Sequence, residues 1–293
     1  WRIAAWILYG AAVLSKETAV VLPAVLFLQT WYLDRSEDSR TVFLWTWIKR
    51  NYGYGVVLLA ALVLRWLALA DSSAPTGPAL TNFLADLDTW QRIGTIVAIL
   101  PRYLLLLVVP RHLSADYSYA SIPPITSLVD PWFAFGVLSI AVFVILSRYT
   151  RSRIFYFIGL FFWICLLPVS NLFFLAPSGM AERYLHLAMI PVSLMAGWGG
   201  WQGAKWATRR GAWAAILCLV VMFSVGTVSR NRDWHSDVSL FSGVLRHYPE
   251  NARAHDNLGF AYYQQGQYAQ AIHHYQKAIA IQPTRLRALF NLG

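Results

Sequence analysis

The sequence predicts an all-α protein: a polytopic helical membrane bundle followed by an α-solenoid of helical hairpins. Three observations predict it. The 293-residue chain is 57% hydrophobic and only 13% charged, where soluble domains carry about a quarter charged residues. Long apolar runs alternate with short gaps, several of them rich in Lys and Arg. After residue 228 the composition turns polar, and the triplet "NLG" at 257–259 recurs at 291–293, a spacing of 34.

The apolar runs occupy 1–14, 18–33, 54–70, 91–109, 132–147, 154–169, 185–200 and 211–228. A spanning helix needs about 20 residues, so several runs must borrow flanking residues. Fourteen Trp, fifteen Tyr and sixteen Phe fit membrane–water boundaries, where aromatic rings concentrate. Cys165 and Cys218 fall inside apolar runs and read as core or lipid-facing residues. The chain opens on Trp1 in an apolar run, without Met, and closes on Gly293 inside a repeat, the pattern of a fragment cut at both ends.

Charge between the runs predicts orientation. Arg35, Arg40, Lys49 and Arg50 fill one gap; Arg148, Arg151 and Arg153 a second; Lys205, Arg209 and Arg210 a third. Short loops rich in Lys and Arg stay cytoplasmic. All three gaps share one side only if 91–109 does not cross. That run holds Pro101 and Arg102 near its middle, which lipid-facing spans avoid. A re-entrant or interfacial hairpin over 91–109 is therefore expected, within outer loops covering 71–131. Arg and Lys cluster in these gaps between apolar runs, not along a basic groove, so the net charge of +10 implies no nucleic-acid partner.

The predicted domains are a multi-span membrane domain over 1–228, a juxtamembrane linker and half-repeat helix over 229–250, and repeats over 251–293. A period of 34 is that of the tetratricopeptide repeat. Leu258, Gly259 and Tyr262 fit its first helix, Ala271, Tyr275 and Ala278 its second, and Pro283 its closing turn. Phe241, Val244 and Pro249 stand 34 residues before Tyr275, Ala278 and Pro283, which predicts a preceding half-repeat.

On this topology five segments face outward, and they carry the candidate site. Lys16 and Glu17 sit at the joint of two apolar runs; they suit an anionic headgroup, or simply a polar hairpin tip. Arg65 snorkels from the outer end of its run, or pairs. In "PRHLSADYSYASIPPITSLVDP", 110–131, Ser114, Asp116, Tyr117 and Tyr119 are able to line a pocket for a polyhydroxylated ligand, or a plain boundary loop. Asp116 is a weak general-base candidate, lacking a partner in the sequence. In "PVSNLFFLAPSGMAERYLHL", 168–187, Asn171, Ser178, Glu182, Arg183, Tyr184 and His186 gather around a Pro-Ser-Gly turn. Arg183 offers a planar fork for phosphate oxygens, with Glu182 to hold it; the plain alternative is a structural ion pair. Arg230, Arg232 and Trp234 suit a juxtamembrane anchor. His273 and His274 are expected on a solvated helix face. No Walker loop, dinucleotide fingerprint or zinc-type spacing occurs, so the sequence fixes no cofactor and leaves a divalent metal open.

"LSKETAVVLP", "PRYLLLLVVPRHLSADYSY", "NLFFLAPSGMAERYLHL" and "SRNRDWHSDVSLF", followed by the repeats, resemble the transmembrane, tetratricopeptide-containing O-mannosyltransferase family and its bacterial relatives. The family is similar to GT-C glycosyltransferases. The resemblance implies transfer of a sugar, mannose or a similar hexose, from a polyprenyl-phosphate donor to a protein or glycan acceptor on the extracytoplasmic face. It implies a multi-pass protein of a bacterial inner membrane or the endoplasmic reticulum, with the repeats binding acceptor or partner. It places the catalytic acid in a first outer loop upstream of Trp1. Lys16, Glu17, Asp116, Tyr117, Glu182, Arg183, Tyr184 and His186 would then form the substrate-binding half, with membrane lipid the further partner. A membrane-anchored repeat scaffold and a lipid-linked sugar transporter are the competing functions.

Overall fold

A computed structural model describes residues 1–33, 40–70, 82–110, 113–118, 121–173, 175–203 and 209–292; Arg35, Tyr119, Lys205 and the stretch 71–81 lie outside them. All regular structure among the described residues is helical. The membrane part comprises α1 (Arg2–Ser15), α2 (Leu22–Tyr32), α3 (Arg40–Ala70), α4 (Thr89–Val108), α5 (Pro131–Thr150), α6 (Arg153–Leu166), α7 (Met189–Gly203) and α8 (Arg209–Asn231). The polar part comprises α9 (Asp237–His247), α10 (Ala252–Gln264), α11 (Tyr268–Ile281) and α12 (Leu286–Leu292). Among the described residues, Val42–Ala68, Thr89–Val108, Pro131–Thr150 and Trp213–His235 are long and apolar enough to cross a membrane.

Aromatic side chains join the first helices. Trp6 and Tyr9 of α1 meet Tyr52 and Tyr54 of α3 edge-on, at 5.3 and 5.4 Å between centroids. A Cβ on Gly53 would lie 2.2 Å from the Trp6 ring, so only Gly admits it. Phe27 of α2 packs edge-on against Trp47 of α3, and Leu28 is buried with Phe157 and Ile158 of α6. Tyr32, ending α2, stacks on Tyr156, near the start of α6. Those two helix ends therefore share one end of the bundle.

The main core lies at the other end. Ile99, Leu100 and Tyr103 of α4, Cys165 and Leu166 of α6, and Met180, Tyr184 and Leu185 beyond it form one buried cluster. Cys218, by contrast, is exposed on α8.

No hairpin forms over 91–109. α4 is one continuous helix of 20 residues, about 30 Å long, running through Pro101. Asp88 caps its start, accepting from the Gln91 amide at 2.8 Å. Pro101 has no N–H for the Val97 carbonyl four residues back. That carbonyl faces Gly136 of α5, where a Cβ would lie 2.2 Å from it. The carbonyl that Pro101 leaves without its helical donor thus packs against the backbone of α5. Trp90 and Arg102, about 18 Å apart along α4, meet the adjacent residues Phe133 and Trp132 at the start of α5. The two helices therefore cross rather than run side by side. Both flanks of α4 are tied to one segment: Asn82 donates to the Ala176 carbonyl at 2.8 Å, and the Ser114 amide donates to Glu182 at 2.5 Å.

The repeat hairpin forms as its pattern dictates. Ser236 and Ser239 build a capping box that starts α9, and Asn251 caps α10 through the Ala254 amide at 2.8 Å. Val244 of α9 is buried, as the half-repeat predicts. Gly259 faces Tyr275: a Cβ there would lie 2.9 Å from the ring and 3.2 Å from the Ala271 carbonyl. Ala271, Tyr275, Ala278 and Ala288 fill the space between α10, α11 and α12.

Candidate functional site

The segment 171–186 carries the site, and two asparagines hold it. Asn171 takes a left-handed conformation, φ +62°, which Asn tolerates better than most residues. Its Oδ1 accepts from Asn82 Nδ2 at 2.7 Å and from the Ala176 amide at 2.8 Å; its Nδ2 donates to the Gly179 carbonyl at 3.1 Å. Asn82 Oδ1 in turn accepts from the Leu84 amide at 3.1 Å. Both asparagines are buried, so these bonds replace water. Tyr184 points inward: its hydroxyl accepts from the Ser178 amide at 3.1 Å, and the residue is buried. Tyr184 therefore shapes the turn, and its ring underlies the Arg183 guanidinium at 5.4 Å.

Lys16 and His186, 170 residues apart, meet at 3.2 Å. A lysine ammonium has only donors, so His186 Nε2 is the acceptor. The other ring nitrogen, Nδ1–H, then donates to the Arg183 carbonyl at 2.6 Å. One imidazole thus links Lys16 to the backbone that bears Arg183. Lys16 and Arg183 are both exposed, and neither has an acidic partner among the described residues. Glu17 is paired with Arg65. Arg102 of α4 lies over the Trp132 ring at 4.3 Å and donates to the Ala98 carbonyl at 2.8 Å.

Glu182 does not hold Arg183. Its Oε1 accepts from the Ser114 amide and from the Tyr117 hydroxyl at 2.9 Å. Burial, then the charge of Glu182 and the bond to it, raise the Tyr117 phenol well above its ordinary value. Tyr117 therefore stays a donor. Its ring meets Tyr248 edge-on at 5.8 Å. Tyr248 is raised by burial, with Arg102 opposing and Glu182 adding. Asp116 is buried and fully engaged: Oδ1 accepts from the Ser118 amide at 2.7 Å and Oδ2 lies 3.3 Å from Arg253 Nε.

Sequence reasoning missed Arg253, Asn251 and Asn82. Only the Asn251 cap had a local signal, a helix starting at the next residue. It also placed His274 among solvated residues. Instead His274 is half-buried, stacked on Tyr262 at 5.5 Å, with its Nδ1 2.9 Å from His255 Nδ1. The hairpin's small residues bring α10 and α11 close enough to trap the ring. His273 stays exposed.

Fold and site define a polytopic helical membrane protein with a tetratricopeptide hairpin at the end of the bundle that carries Lys16 and Arg183. Comparison with known proteins narrows this. The profile "Protein O-mannosyl-transferase TMTC, DUF1736" matches residues 75–145, and the tetratricopeptide-repeat profile matches 252–285. Human protein O-mannosyl-transferase TMTC1 is 31% identical over 237 residues, 76% of this chain and 27% of the relative. Human TMTC3 is 28% identical over 234 residues, 76% of this chain and 24% of the relative. Tmtc3 of Drosophila melanogaster is 26% identical over 262 residues, 84% and 28% respectively. The chain is a relative of the TMTC protein O-mannosyl-transferases, and it spans about a quarter of their length. No solved structure matches it.

Proposed function

We propose that this chain is the donor-binding part of a membrane glycosyltransferase. It uses a polyprenyl-phosphate-linked sugar, mannose or a similar hexose, and works on the extracytoplasmic face. The observation that carries this reading is the link from Lys16 through His186 to the Arg183 backbone carbonyl, with no acidic partner for either cation among the described residues. Two unneutralised cations on linked segments suit a phosphate, which Arg grips with its fork and Lys meets as a point charge. The names of the relatives supply the reaction class.

In the transfer, an acceptor hydroxyl oxygen bonds to the sugar's C1 as the C1–O bond to phosphate breaks. The hydroxyl proton goes to a general base, and polyprenyl phosphate leaves. Charge grows on the leaving phosphate, so fixed cations there stabilise the transition state. Glu17, Asp116 and Glu182 are already engaged by Arg65, Arg253 and Tyr117. None of these three carboxylates is therefore free to serve as the base.

Topology supports the sidedness. Lys16, Arg65, Glu182 and Arg253 gather at one end of the bundle. Arg148, Arg151 and Arg153 sit at the far ends of α5 and α6. The positive-inside rule puts that far end in the cytoplasm and the repeats outside. This requires α4 to lie along the outer leaflet, as its crossing with α5 and its two tied flanks favour.

The test is sugar transfer by the full-length protein in nanodiscs. Lys16→Ala and Arg183→Ala are each expected to lose about a hundredfold in kcat, with elution and unfolding unchanged. Wild-type rates in both variants would remove the donor site.

A further inference from the structure

We propose that residues 114–118 with Ser121, and residues 248–253, form a clamp that fixes the repeats against the donor end of the bundle. Its role rests on the glycosyltransferase reading: it positions a polypeptide acceptor, held along the repeats, relative to Lys16 and Arg183.

Three contacts make the clamp. Asn251 Nδ2 donates to Ser121 Oγ at 2.8 Å and toward the Ser118 carbonyl at 3.4 Å, while its Oδ1 caps α10. Arg253 Nε lies 3.3 Å from Asp116 Oδ2. Tyr248 packs edge-on against Tyr117. Asn251 is fully buried at 0% exposure, so its bonds form in a closed joint rather than a wet rim.

The joint has a physical purpose. Without it the repeats hang on one covalent tether, α8 through the Arg232–His235 turn, and a single tether lets domains swing. A second attachment at 248–253, 16–21 residues beyond Arg232, removes that hinge. Directional polar contacts set register, since a shifted array would take Asn251 Nδ2 and Asp116 Oδ2 from their partners across the joint. Tyr117 is shared between the two parts. Its ring touches the repeats at Tyr248; its hydroxyl holds Glu182, the residue next to Arg183. The position of the array is thus connected to the cation site through one side chain. Arg253 acts through Asp116 and touches no substrate, so it is a positioning residue.

The experiment compares Arg253→Glu and Arg253→Lys with wild type in the full-length protein, in nanodiscs. Hydrogen exchange is read at 113–118 and 252–256, and transfer kinetics are read with a polypeptide acceptor and with water. Arg253→Glu places a second carboxylate against Asp116. It is expected to speed exchange at both strips and raise KM for the polypeptide about tenfold, with kcat within about twofold. Donor hydrolysis should be unchanged, and Arg253→Lys should restore both exchange and KM. Unaltered exchange in Arg253→Glu would overturn the clamp. An equal fall of kcat for polypeptide and water would overturn the positioning role. Absence of transfer by wild type would refute the glycosyltransferase reading and the delivery role with it, while exchange would still judge the clamp.

Discussion

Replacing Asn171 tests how the cation-bearing segment is held. In Asn171→Ala the buried Ala176 amide loses its acceptor, and the Gly179 carbonyl loses its best-placed side-chain donor. A buried group left unsatisfied costs about 1–3 kcal/mol. Asn82 keeps the Ala176 carbonyl as a partner, so its amide adds little. Alanine must also take the left-handed conformation that Asn171 adopts at φ +62°, at a cost of about 1 kcal/mol. The sum is about 3–7 kcal/mol for two unsatisfied groups and one strained residue. Asn171→Gly loses the same bonds without the strain and should be milder by about 1 kcal/mol. Equilibrium unfolding in mixed micelles, followed by tryptophan fluorescence, reads both values. A loss below about 1 kcal/mol in Asn171→Ala would refute the latch, because a single buried unsatisfied amide already costs that much.

Three further outcomes follow from the packing and the charges. Gly136→Ala pushes a Cβ into the Val97 carbonyl, and overpacking of this kind should destabilise by about 1–3 kcal/mol; an unchanged unfolding midpoint would contradict the crossing of α4 and α5. Burial, then the charges of His255, His273 and Lys277, lower His274 to about 4, and burial lowers His255 too. The unfolded histidines therefore bind protons first as pH falls, so the hairpin loses stability from about pH 6.5 downward, until the folded His274 titrates near 4. Protection factors in α10 and α11, corrected for the intrinsic pH dependence of exchange, should fall as pH drops through that window in wild type and fall less in His274→Phe; constant protection factors would contradict the buried pair. If α4 lies along the outer leaflet, a thiol reagent confined outside should label Asp86→Cys and Val109→Cys but not Tyr149→Cys, in a background lacking Cys165 and Cys218. Labelling of Asp86→Cys and Val109→Cys from opposite sides would show that α4 crosses.

The membrane helices and the repeats were legible because their signals are local. Each apolar run overlaps one helix, and the 34-residue phase assigns Gly259 to the first repeat helix and Tyr275 to the second, where the two meet. The hairpin over 91–109 failed for a reason invisible in the run itself. Pro101 was read as a break, but the carbonyl it orphans faces Gly136, 39 residues downstream of Val97. The basic half of the site was legible in part, since Lys16 and Arg183 stand out among apolar neighbours. That His186 joins them was not, because 170 residues separate it from Lys16. Asp116 and Tyr117 showed polar and aromatic character without their employment. Asp116 faces Arg253, and Tyr117 divides its contacts between Glu182 and Tyr248. No spacing rule links a loop between membrane helices to the first turn of a distant repeat.

Equilibrium binding of polyprenyl phosphate to the full-length protein in nanodiscs, with the matching polyprenol as control, goes most directly to the phosphate role of Lys16 and Arg183. Wild type should bind the phosphate form and not the alcohol, and the Lys16→Gln/Arg183→Gln double variant should lose that preference while its unfolding is unchanged. Equal binding of phosphate and alcohol, or an undiminished preference in the double variant, would contradict the assignment.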